Sequence, residues 1–103
     1  MDRMDPILIF KALSNETRLR ILSWLKEPEK HFPVHEGGDG LSLGVCVSHI
    51  QEKAGLSQST VSHYLLLLQR AGLVEAARRG QWTYYRRNER TLRELAAFIG
   101  EQV

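Results

Sequence analysis

A second cysteine is missing from this chain, and so is any apolar run long enough to span a bilayer. The lone thiol, Cys46, excludes an internal disulfide framework and fits a reducing compartment. The N-terminus lacks the basic-then-apolar layout of an export signal, so the expected location is cytoplasmic. Signatures of catalysis are absent as well. No nucleophile motif, phosphate-cradling glycine loop or carboxylate pair occurs, and Cys46 with His49 has no orienting group, so no enzyme is expected. Acid is scarce in one window. Between Arg70 and Arg93 stand seven arginines and only two acids, Glu75 and Glu89.

What is present is 103 residues of 43% apolar content, enough for one core and one domain, 1–103. The formal net charge is only +2, but it is unevenly spread. From Glu27 to Glu52 five acids oppose Lys30 alone, whereas the arginine block that follows is the electrostatic footprint of a nucleic-acid binder. Arginine suits phosphate because its guanidinium fork bonds bidentately.

The most informative stretch is Gly55–Val74, GLSQSTVSHYLLLLQRAGLV. Ser57 is placed to cap a helix that starts at Gln58. Val61, Leu65, Leu68 and Ala71 share a buried face, and Gly72 stands where a left-handed C-cap is wanted. The opposite face carries Gln58, Ser59, Ser62, His63 and Gln69, with no acid. Hydroxyls and amides suit base edges and phosphates, and a carboxylate would be repelled. An ordinary amphipathic helix with a solvated face fits the same pattern, so the flanks decide. Upstream, Val45–Ala54 reads as a short helix with Val47, Ile50 and Ala54 on one side and Cys46 and His49 on a shared face. Helix, glycine-containing turn and helix over 45–71 make a helix-turn-helix.

Downstream, 73–87 reads as a hairpin turning at Arg78-Arg79-Gly80-Gln81, with Trp82 and Tyr84 on one face and Thr83 and Tyr85 on the other. Beside a reading helix, a cationic hairpin is a wing suited to phosphates or the minor groove. The alternative is an edge hairpin kept soluble by charge.

Two terminal helices remain. Pro6 opens one over 6–13 that is apolar almost all round, which points to a second subunit on its outer side; the alternative is a helix swallowed by its own core, which the limited interior of a small domain disfavours. Asn88 or Thr91 caps another over 89–100, with Leu92, Leu95, Ala96 and Ile99 as its stripe, Phe98 beside it and Gly100 ending it. Ile7, Phe10, Leu92, Leu95, Phe98 and Ile99 are the candidate dimer contacts. Between the terminal helices and the reader, Ser14-Asn15-Glu16 caps a helix running to about Lys26. Its expected buried stripe is Leu19, Leu22 and Leu25, widened by Ile21 and Trp24, with Arg18 and Arg20 outward and Pro28 as its stop. Glu29–Ser42 is a long connection holding His31, His35, Glu36 and Asp39. With no cysteine or second spaced ligand pair there, a surface excursion is expected rather than a metal site.

The segments ALSNETRLRILSWL (Ala12–Leu25), GLSQSTVSHYLLLLQRAGLV and RRGQWTYYR resemble, in order, the second helix, recognition helix and wing of the ArsR/SmtB family of bacterial repressors. The likeness covers nearly all of the chain except Glu29–Ser42. It implies a mainly α winged helix-turn-helix of order α-α-α-α-β-β-α, dimerised through its terminal helices. It also implies binding to a palindromic operator as a repressor until an inducer releases it. The family's metal sites are degraded. Where arsenic-type sensors carry Cys-Val-Cys, this chain reads Cys46-Val47-Ser48. It has no N-terminal cysteines of the cadmium and lead type. Its last helix lacks histidine and carries Arg90 and Arg93, which repel a cation. A soft metal ion needs two or three such ligands, so no metal or other cofactor is expected. Cys46, with His49, is left as a candidate redox or electrophile sensor.

The expected DNA contacts are Gln58, Ser59, Thr60, Ser62 and His63 on the helix, capped by Ser57, and Arg78, Arg79 and Gln81 on the wing. The competing class is a protein-interaction module using the same surface. The arginine-dense hairpin argues against it, and binding that ignores salt would favour it.

Overall fold

A computed structural model describes residues 4–33 and 43–103. Its elements are α1 (Pro6–Leu13), α2 (Glu16–Lys26), α3 (Pro28–His31), β1 (Val45–Cys46), α4 (Val47–Ala54), α5 (Gln58–Arg70), β2 (Val74–Arg79), β3 (Trp82–Arg87) and α6 (Glu89–Gln102). The strands form one antiparallel sheet in the order β1-β3-β2. The expected mainly α winged helix-turn-helix is therefore present, with two additions to its order: the single turn α3 and the strand β1.

Four helix starts have a local side-chain cause. Asp5, Asn15, Ser57 and Asn88 each accept a hydrogen bond from the backbone N–H three residues on, which satisfies a donor the helix leaves over. Gly55 at φ +67° ends α4 and turns the chain into α5, and Gly72 at φ +78° follows α5. Both take the left-handed conformation that glycine adopts without penalty.

The core gathers one face from every major element: Ile9, Ile21, Leu22, Leu25, Ile50, Val61, Leu65, Leu68, Leu73 and Leu95, closed by Tyr84 of β3. Four expectations need correction. Leu19 is 52% exposed, because the face of α2 that meets the core runs through Ile21, Leu22 and Leu25. Arg18 does not simply face out; it is half-buried and hydrogen-bonded to α1. Val45 and Cys46 are not helical. They pair with Tyr85 and Tyr84 of β3, so Cys46 precedes α4 and does not share a helix face with His49. Gly100 does not end the last helix, which runs to Gln102. Pro28 starts α3 after α2 has closed at Glu27. His31 lies in α3, whereas His35, Glu36 and Asp39 fall outside the described residues.

Candidate nucleic-acid interface

α5 packs inward through Val61, Leu65 and Leu68. Its opposite face therefore presents Gln58, Ser59, Ser62, His63 and Gln69 to solvent, with Thr60 half-exposed at its edge. No acid falls within α5. The first turn is organised by hydroxyls. Ser57 Oγ accepts from the Thr60 N–H at 3.2 Å and donates to Thr60 Oγ1 at 2.8 Å. Because Thr60 Oγ1 accepts that bond, its own proton is left to donate outward. Ser59 Oγ lies 3.2 Å from Ser57 Oγ. The helix thus begins with a set of oriented hydroxyls at the end where its dipole favours anions. Toward its far end the same face carries Leu66, 40% exposed, an apolar residue the sequence pattern had not set on the reading side.

The hairpin stands beside this helix. Val74 pairs with Arg87 at its base and Arg79 with Trp82 at its tip, where Gly80 turns at φ +63°. Arg78 Nε donates to the Gly80 carbonyl at 3.2 Å, which folds that guanidinium over the tip. Arg78, Arg79 and Gln81 are all exposed there. The arginine block is less uniform than its count suggests. Arg86 meets Glu75 at 3.1 Å, its partner across the ladder. Arg87 forks onto Glu89 at 2.6 and 2.8 Å, and this bond holds the Glu89 carboxyl below its ordinary pKa. Arg90 reaches Glu94 at 3.7 Å. Arg86, Arg87 and Arg90 are thus each matched by an acid, while Arg78 and Arg79 place two further cationic groups at the tip of the wing. The Glu75–Arg86 match was readable in advance from the hairpin register.

The other named residues fall elsewhere. Ile7, Phe10 and Ile99 are 62%, 38% and 45% exposed, and Leu8 joins them at 40%. Phe98 is half-buried. Leu95 is turned into the protomer's own core and Leu92 packs against it, so neither projects like Ile7. Cys46 is 1% exposed, with its Sγ 3.3 Å from Ser48 Oγ, and His49 is half-buried on α4. Among the described residues no three His, Cys, Asp or Glu side chains gather as a metal-holding group, and no helix is long and apolar enough to cross a membrane. A cleft of about 650 Å³ lies between the start of α1, the end of α5 and the start of α6, lined by residues that include Asp5, Leu8, Arg70 and Arg90.

A capped, acid-free helix entered from a tight turn, with a cationic hairpin beside it, defines a winged helix-turn-helix DNA-binding protein. The chain belongs to the ArsR family of bacterial regulatory proteins. The family's sequence profile matches residues 45–76. An uncharacterised HTH-type transcriptional regulator of Bacillus subtilis, YbzH, is 54% identical over 100 residues, covering 97% of this chain and 100% of that one. The transcriptional repressor SdpR of the same organism is 33% identical over 86 residues, covering 84% of this chain and 79% of its own. Among solved structures, the homodimeric winged helix-turn-helix DNA-binding domain of a Mycobacterium bovis protein matches with a TM-score of 0.65 at 33% identity. That match covers 88% of this chain and 71% of the other. The protein is a DNA-binding transcriptional regulator and not an enzyme.

Proposed function

We propose that two copies of this chain join through α1 and α6, bind a palindromic operator and repress transcription until an inducer releases them. The observation that carries this reading is the pairing of two exposed surfaces on one protomer. One is the hydroxyl- and amide-bearing face of α5 beside the Arg78–Arg79 tip, and the other is the apolar set Ile7, Leu8, Phe10 and Ile99 on the terminal helices. The homodimeric Mycobacterium bovis domain and the repressor SdpR support it. Gln58 is the base reader, since its amide can bond bidentately to adenine, and Arg78, Arg79 and Gln81 hold the backbone. An inducer seated in the cleft between α1, α5 and α6 would touch both terminal helices and the end of the reader at once. The reading does not use Cys46, because a thiol switch needs access and this one is buried. It requires no metal.

The test is a titration of the wild type, Gln58→Ala and Arg79→Ala against operator and scrambled duplexes over a range of salt. Arg79→Ala weakens binding to both duplexes and lowers the salt slope by about 1. Gln58→Ala costs about 1–3 kcal/mol on the operator and little on the scrambled duplex. Equal losses on both duplexes would reject Gln58 as a base reader, and salt-independent binding would reject the DNA reading itself.

A further inference from the structure

One side chain joins three helices. Arg18, in the first turn of α2, donates from Nε to the Ala12 carbonyl at 2.7 Å and from Nη2 to the Lys11 carbonyl at 3.3 Å. These carbonyls belong to the end of α1, where a helix leaves acceptors over and a cation is favoured. The same guanidinium lies over the Tyr64 ring of α5, 5.2 Å from its centroid. Tyr64 is half-buried against the core and follows His63 of the reading face. A planar fork with spread donors bonds two carbonyls and lies flat over a ring at once, an arrangement that the single-centred ammonium of lysine matches less well.

We infer that Arg18 is a positioning residue that sets the separation between the two DNA half-sites the dimer accepts, by bracing the end of α1 against Tyr64 of the reading helix. This inference rests on the dimeric DNA reading above. α1 carries Ile7, Leu8 and Phe10 toward the second copy, and α5 carries the groove-facing side chains. The path from the two-fold axis to the bases therefore runs through the α1–α5 contact that Arg18 spans. Two-fold symmetry doubles any change along that path. A slip of ~1.7 Å in each protomer moves the reading helices ~3.4 Å relative to each other, the rise of one base pair. A loosened brace therefore shows in the spacing tolerated between half-sites, while the bases recognised in each half-site stay the same.

The experiment selects duplexes from a random-sequence pool with the wild type, Arg18→Lys, Arg18→Met, Tyr64→Phe and Tyr64→Leu, with a thermal melt of each. The wild type and Tyr64→Phe, which keeps the ring, enrich two half-sites at one separation. Arg18→Met and Tyr64→Leu enrich the same half-site letters over separations that differ by a base pair or more, with Arg18→Lys between. On defined duplexes lengthened by one base pair, the wild type loses about tenfold in affinity and Arg18→Met less than about threefold. A single narrow separation retained by Arg18→Lys and Tyr64→Leu, with affinity lowered equally on every duplex, overturns the inference and leaves Arg18 a merely structural contact. That comparison stands even if Arg18→Met does not fold. Enrichment of isolated half-sites by the wild type overturns this inference but leaves DNA reading intact, and enrichment of no duplex overturns both.

Discussion

At the scale of single residues, Ser57 serves both the fold and the proposed interface. Its hydroxyl caps α5 and fixes Thr60. Ser57→Ala is expected to lower stability by about 1 kcal/mol, read from urea unfolding, and to weaken operator binding beyond that through the loosened first turn. No change in either measurement would remove the cap from the mechanism. Ser57, Gly55 and Gly72 were legible in the sequence because capping is local: the residue type and its position beside an apolar repeat are enough. Leu19 was not. Leu19, Leu22 and Leu25 satisfy helical spacing as well as Ile21, Leu22 and Leu25 do, and only the placement of the other elements decides which stripe is buried. Arg18 over Tyr64 left no trace in the sequence, since no local pattern links side chains so far apart in the chain.

At the scale of elements, β1 is the part that sequence pattern could not show. A two-residue strand has no period, and Val45–Cys46 reads equally well as the start of α4. Gly44 explains why the chain bends there. Its φ is +111°, and a Cβ would collide with the Tyr85 carbonyl of β3. Gly44→Ala is therefore expected to cost about 2–4 kcal/mol, measured by thermal or urea unfolding, and a loss below about 0.5 kcal/mol would contradict the tight β1–β3 approach. The hairpin itself was legible, and its register gives the Glu75–Arg86 pair. At the junction of β3 and α6, Arg87 holds the Glu89 carboxyl below its usual pKa. A carboxylate depressed in the folded state adds stability above the unfolded pKa and loses it as the pH falls through the folded one. Half of the Glu89 side chain is exposed, so Glu89→Gln should cost no more than about 1 kcal/mol at neutral pH. The gap between its melting temperature and that of the wild type should close on acidification below the ordinary carboxylate range. A gap that is constant with pH would assign the effect to packing instead.

At the scale of the whole molecule, the order of the main elements and the family were readable from three motifs, in which caps, turns and apolar spacing agree, while α3 and β1 were not. The described fold then separates two kinds of apolar residue that the sequence had grouped together. Leu95 belongs to the protomer's own core, while Ile7, Phe10 and Ile99 are left outside it. Phe10→Asp is accordingly expected to preserve the folded protomer and yield a monomer at micromolar concentration in sedimentation velocity. Its affinity for a palindromic duplex should drop by about 100-fold or more as the linkage between half-sites is lost. A Phe10→Asp chain that remains dimeric would move the interface away from α1.

The most direct measurement is the stoichiometry of the wild-type chain on DNA. Sedimentation equilibrium with a selected palindromic duplex should give two chains per duplex, with an isolated half-site bound far more weakly. A single chain per duplex, bound to the half-site as tightly as to the palindrome, would contradict it.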